Sequence, residues 1–147
     1  MSTEQNKATF KRWLWDLWQA ADLSVADEVL APDFVDRMPL PGLPPGREGH
    51  NLALTTLHTA FPDWQFSLEH LVAEGDMVTG HWVMTGIQSG PVAFLGLPPT
   101  GKAVRMAGIE IMRFVDGKIA EVWHLDDVAG LMMQLAPPPA PASVGAA

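Results

Sequence analysis

An Asp116-Gly117 pair separates two mostly apolar runs, Val104 to Arg113 and Lys118 to Leu125. Both residues of such a pair tolerate positive φ, which the tightest two-residue hairpin turns require, so the sequence predicts an antiparallel hairpin here. Each run carries an ionisable residue at mid-strand: Glu110 in the first, His124 in the second. A charge buried without a partner costs several kcal/mol or changes its protonation state. These two residues therefore either face solvent or line a cavity. With the turn fixed, residues opposite one another sum to about 233, so Glu110 falls roughly opposite Trp123 and His124.

Upstream, the hydrophobic period is that of helices. Phe10, Trp13, Leu14, Leu17 and Trp18 recur at three- and four-residue steps and predict a helix over Thr3 to Ala21, with a shorter one over Ser24 to Leu30. Phe34 to Met38 reads as a short extended piece, Pro39 to Gly46 (PLPGLPPG) as loop, and Arg47 to Phe61 as a third helix. The period then becomes two, predicting strands over Trp64 to Ala73 and Met77 to Gly86 with a Gly75-Asp76 turn between them. Pro91 to Leu95 is expected to be a short edge strand, and Asp126 or Asp127 to cap a last helix ending at Leu135. Helices followed by an antiparallel sheet define the α+β class, here as a single domain over residues 1–136. The Pro- and Ala-rich tail 137–147 is expected to be disordered.

Composition narrows the function. A formal charge of −8 over 147 residues argues against nucleic acid and anionic membrane surfaces as partners. The absence of cysteine and tyrosine removes thiol and phenol chemistry. No apolar run is long enough for a bilayer and the first residues lack a signal-peptide core, so a cytoplasmic protein is expected. Lys7, Lys11, Lys102 and Lys118 fall in helix or turn positions expected to be wet, which disfavours a Schiff base, and no Gly-rich phosphate loop is present. No cofactor is expected.

The segments APDFVDRMPLPG, PPGREG, AFPDW, VAEGDMV, FLGLPPTG, GIEIMRFVDGKI and EVWHLDDVAGLMMQL occur in an order, spanning roughly residues 5 to 136, that resembles the SnoaL-like polyketide cyclases of the nuclear transport factor two-like superfamily. The resemblance implies a cone-shaped barrel: a strongly bent antiparallel sheet closed by N-terminal helices, and a homodimer formed through the outer sheet face. It also implies an apolar pocket for a small molecule. In the family, an aspartate on the strand after the DGKI turn serves as acid/base in an aldol closure, and the related limonene-1,2-epoxide hydrolase has an aspartate there to activate water. That position here is His124. The Arg-x-Asp pair of the epoxide hydrolase would fall near His81 and Val83, so that triad is not reproduced.

From these readings His124 is the expected base, Glu110 its orienting partner, and Arg37 an oxyanion or substrate binder. His81 is expected in the pocket, on the face of Val83 and Thr85, which turns Trp82 outward with Ile109, Ile111 and Trp123. The substrate-facing residues are expected among Trp15, Trp18, Phe61, Trp64, Met38, Met106 and Met112. A bland account covers Asp127 (a helix cap), Asp36 (a turn former), and His50, His58 and His70 (surface residues). His81, His124 and Glu110 satisfy a two-histidine, one-carboxylate metal formula, but without local motif spacing, and no metal is expected. The expected function is cofactor-independent, acid/base ring closure of a bulky apolar carbonyl compound. Epoxide opening and non-catalytic ligand binding are the alternatives.

Overall fold

The computed structural model describes residues 2–91, 94 and 96–137. Helix α1 (Thr3–Arg12) starts at a capping box in which Ser2 Oγ accepts from the Gln5 N–H at 3.1 Å and the Gln5 side chain accepts from the Ser2 N–H at 2.8 Å. It runs on as a π-helical turn, Trp13–Gln19, closed by the Ala20 N–H bonding the Trp15 carbonyl five residues back. The second predicted helix divides into a 3-10 turn (Leu23–Val25) and α2 (Ala26–Val29). It stops at Leu30 because Pro32 disfavours helical backbone in the residue before it.

Strand β1 (Leu30–Asp36) therefore begins four residues earlier than Phe34. After the Pro- and Gly-rich loop come α3 (Arg47–Ala60), β2 (Gln65–Glu74), β3 (Met77–Ile87), β4 (Ala103–Val115), β5 (Lys118–Asp126) and α4 (Val128–Leu135). Asp127 caps α4 through the Gly130 N–H at 2.9 Å. Asp116 and Gly117 both take positive φ, +50° and +76°, as the hairpin demands. Of the expected Pro91–Leu95 strand, Phe94 forms an isolated bridge with Leu97, while Val92, Ala93 and Leu95 lie outside the described residues, as does most of the tail.

The sheet order is β1-β5-β4-β3-β2. All neighbours are antiparallel except β1 and β5, which run parallel, a correction to the wholly antiparallel expectation. Pro32, which has no N–H to give, is tolerated because β1 is an edge. The curled sheet carries helices on its inner face. Along β4 the alternation is strict: Val104, Met106, Gly108, Glu110, Met112 and Phe114 are buried, whereas Ile109 and Ile111 are exposed. Phe10, Leu14 and Leu17 are fully buried among the core residues. Each such side chain stabilises the fold by about 1.5–3 kcal/mol relative to exposure. Among the described residues no helix is long and apolar enough to cross a membrane.

Candidate active site

The inner face of the sheet, α3, the π-helical turn and the loop after β1 enclose a pocket with about 760 Å³ of empty space, its mouth included. Its walls are apolar, with Trp13, Trp18, Phe34, Phe66 and Trp82 among them, and its polar groups gather as Asp36, Glu110, His124 and Asp126.

A single unpaired residue creates this cluster. Near the turn, Phe114 opposes Ile119 and Val115 opposes Lys118, the register read from the sequence. A bulge then leaves Ala120 without a partner, and from Arg113–Glu121 onward the register moves by one. Glu110 consequently faces His124 rather than Trp123. Asp126 lies two residues beyond His124 on the same face of β5. Asp36 arrives from the neighbouring strand β1, paired with Val122.

His124 Nδ1 lies 3.0 Å from Asp126 Oδ2, and Nε2 lies 3.1 Å from both oxygens of Asp36. Carboxylates only accept, so both ring nitrogens must donate, and a histidine that donates twice is an imidazolium. Burial by itself would lower the pKa of this ring. The bonds to Asp126 and Asp36, with the nearby charge of Asp126, outweigh burial and push it up to about 11. The Met38 N–H also donates to Asp36 Oδ1 at 2.8 Å, fixing that carboxylate.

Glu110 is only 4% exposed and accepts from the Trp82 indole N–H at 3.1 Å. Burial first, then the charge of Asp126, drives it well above the usual carboxyl range, toward the neutral acid. A hydrogen bond between Glu110 and Asp126 adds to the same upward shift, with neutral Glu110 as the donor. The donors thus set one direction along the chain: Trp82 to Glu110, Glu110 to Asp126, and His124 to both aspartates. Gly108 makes room for it, since a Cβ there would stand 2.2 Å from the Trp82 ring and 2.5 Å from Asp126 Oδ1.

A second histidine lines the apolar wall. His50, on α3, is 7% exposed, and its Nε2 accepts from the indole N–H groups of Trp13 and Trp18 at 3.0 and 3.1 Å. Its Nδ1 lies 3.2 Å from Asn51 Oδ1. Indoles only donate, so Nε2 carries no proton and the ring is neutral; burial lowers its pKa to about 4. The π-helical turn permits this convergence. Residues five apart point about 140° from one another on an α-helix and much closer together where bonding runs from i to i+5.

The expected site residues divide. His124, Glu110, Trp18 and Met112 line the pocket. Arg37 does not: the alternation that turns Asp36 inward turns Arg37 outward, where it pairs with Glu121, itself held by Arg113. His81 is also outside, because Trp82 takes the inward position on β3 and adjacent strand residues alternate. A bulge at Glu69 sets it opposite His70, and the two rings stack 5.3 Å apart at 11°. Trp15 and Met38 are exposed, and Met106 is buried in the core away from the pocket lining. Phe61 packs against Phe94 in the core, and Trp64 bonds the Gln19 carbonyl.

Sequence reading missed Asp36, Asp126 and His50. Asp126 and Asp36 each follow an inward residue (His124, Phe34) by two, and His50 precedes the buried Leu54 by four on α3, so strand and helix periods carried the signal. Glu110, His124 and Asp126 bring potential ligand atoms within 4.8 Å of one another. A cation there would have to displace the proton that His124 Nδ1 gives to Asp126.

Three solved structures are similar over nearly the whole chain. A candidate SnoaL-like polyketide cyclase from Jannaschia sp. CCS1 is 29% identical, with a TM-score of 0.82 over 93% of this chain and 95% of that one. IdmH, a candidate polyketide cyclase from Streptomyces antibioticus, is 30% identical, with a TM-score of 0.75 over 89% and 98%. AclR, a candidate hydroxylase from Streptomyces galilaeus, is 27% identical, with a TM-score of 0.81 over 96% and 87%. No curated protein sequence matches the chain. The SnoaL-like polyketide cyclase model matches residues 8–135, and with that match the chain belongs to the SnoaL-like polyketide cyclase family.

Proposed function

We propose that the protein is a cofactor-independent cyclase that closes a ring in an apolar carbonyl compound by proton transfer, with Asp36 as base and His124 as acid. The observation that carries this reading is the His124 ring held between two carboxylates where an otherwise apolar pocket becomes polar. Asp36 takes a proton from the carbon beside a carbonyl, and the enolate carbon attacks a second carbonyl of the same molecule. As Asp36 becomes neutral it releases the Nε2–H of His124, which passes its proton to the new alkoxide. Asp36 then returns its proton to His124, and no proton is gained or lost. Asp126 and neutral Glu110 hold the imidazole in place throughout. His124 thus changes from the expected base to an acid, and Arg37 and His81 lose the binding roles assigned to them.

The adjacent acid and base also favour a second reading, epoxide opening, in which His124 protonates the epoxide oxygen and Asp36 deprotonates water. Incubating the protein with an aryl-substituted 1,5-diketone and, separately, with an aryl-substituted epoxide in ¹⁸O water separates the two. Ring closure gives an isomer, or its dehydrated form, by unlabelled carbon–carbon bond formation. Epoxide opening requires an epoxide substrate and leaves label in a diol. Inactivity toward a panel of both classes would sink the enzyme reading and leave a binding protein.

A homodimer through the outer sheet face belongs to the same proposal. Ile109 and Ile111 on β4, Leu125 on β5 and Val72 on β2 are 42–72% exposed, apolar side chains that a second copy would cover. Trp82 is not part of it, since that ring faces inward. Light scattering that gives a mass near 16.0 kDa at micromolar concentration would remove the dimer.

A further inference from the structure

We infer that the pocket selects its ligand by charge, admitting neutral or ammonium-bearing apolar molecules and refusing carboxylates and phosphates at its buried end. This rests on the pocket being a small-molecule site, as proposed above, and adds the class of molecule it takes. Among the described residues, no lysine or arginine lines the pocket. Its ionisable groups besides neutral His50 are Asp36, Glu110, His124 and Asp126. Counting His124 as a cation and Glu110 as neutral leaves two carboxylates against one imidazolium, a net charge of −1. Deprotonating either His124 or Glu110 only makes the sum more negative. Arg37, the nearest cation in sequence, spends its charge on Glu121 outside the lining.

Each side-chain donor of the lining is also committed. The imidazolium gives both hydrogens to aspartates, the Trp82 indole gives its hydrogen to Glu110, and the Trp13 and Trp18 indoles give theirs to His50. An entering carboxylate would therefore meet like charge and no unspent side-chain donor, in a setting where charges interact far more strongly than in water. A cation meets the opposite: net negative charge and the faces of Trp13, Trp18, Phe34 and Phe66, which attract cations through their ring quadrupoles.

The test uses three naphthalene probes of like size and different charge: 2-acetonaphthone, 2-naphthylmethylammonium and 2-naphthoate. Calorimetric titration of the full chain near neutral pH should give the ketone and the ammonium comparable affinities, and the naphthoate an affinity at least about 30-fold weaker. In Asp36→Asn, and separately in Asp126→Asn, the gap between ketone and naphthoate should narrow by about fivefold or more, because one negative charge is gone. Thermal melts of both variants establish that they are folded, and one folded variant suffices. Naphthoate binding within threefold of the ketone in the unsubstituted protein would overturn the inference. So would a gap unchanged in a folded variant. Failure of all three probes to bind would instead overturn the small-molecule reading beneath it, and this inference with it. Catalysis plays no part in the readout, so loss of the cyclase reading alone leaves the charge test intact.

Discussion

His124 and His50 line the same pocket and have opposite charge states, and the difference lies entirely in what their neighbours can donate. Around His124 stand Asp36 and Asp126, which only accept, so the ring is doubly protonated. Around His50 stand two indole N–H groups, which only donate, so one nitrogen must be bare. Burial opposes the charged form in both cases. At His124 it is outweighed by two carboxylates, whereas at His50 the bond to Asn51 and the charge of Asp36 offset it only in part. A buried histidine's role is thus read from the hydrogen-bonding type of its partners before its position in a motif is considered.

The strongest way to break this comparison is at the acid. His124→Gln keeps the approximate size and can donate on only one side, so it should lower the chemical rate of ring closure by about 10²–10⁴-fold, the usual contribution of a positioned acid/base group. A fully active variant would leave His124 a wall residue. The pH profile sharpens the point. If His124 were the base with an ordinary pKa, activity would rise through about pH 6.5. As an imidazolium held to about 11, it should instead produce no limb there, and activity lost to its deprotonation should appear only far on the alkaline side. The stability held in this clamp follows the same sign. The folded pKa is raised, so the contribution is complete below pH 6.5 and disappears as pH climbs through about 11.

His50 should respond in the opposite direction. Its folded pKa is depressed, so its contribution is complete above pH 6.5 and is lost as pH falls through about 4. The difference corresponds to about 3 kcal/mol, measurable by denaturant titration between those two pH values. His50→Leu should remove that pH dependence. It should also cost about 2–5 kcal/mol at neutral pH, because two buried indole N–H groups lose their acceptor. If the variant retains the acid-side slope, another group is responsible.

Much of the frame was legible because local chemistry decides it. The Asp116-Gly117 turn has few alternatives, and the alternation along β4 places Glu110 inward with Met112 and Phe114. The site was less legible for three physical reasons. The bulge at Ala120 is one unpaired residue with no signature of its own, yet it decides whether Glu110 meets His124 or Trp123. On β3 the alternation gave the correct parity and the wrong face: His81 and Trp82 fit either side, and only packing against Glu110 and Phe66 turns the indole inward. Asp36 also has a complete local explanation as a turn former, and it does cap the Met38 N–H. Its second role depends on the parallel pairing of β1 with β5, a contact between distant segments that no local pattern announces.

The smallest predicted effect concerns Arg37, which sequence reasoning had placed in the pocket. Asp36 and Arg37 are adjacent, so strand alternation gives one to the cavity and the other to the surface. Arg37 is 49% exposed at its side chain and pairs with Glu121, which also holds Arg113. Exposed pairs of this kind contribute about 0–1 kcal/mol, and Arg113 remains to neutralise Glu121 when Arg37 is replaced. Arg37→Gln should therefore change stability by less than about 1 kcal/mol and turnover by less than about threefold, whereas the neighbouring Asp36→Asn should cost about 10²-fold or more in turnover. Measured side by side under one assay, the two variants test whether a single step along the backbone separates a reacting group from a surface charge. An Arg37→Gln enzyme as impaired as Asp36→Asn would mean that the guanidinium reaches the substrate, and the division between inner and outer face drawn here would have to move by one residue.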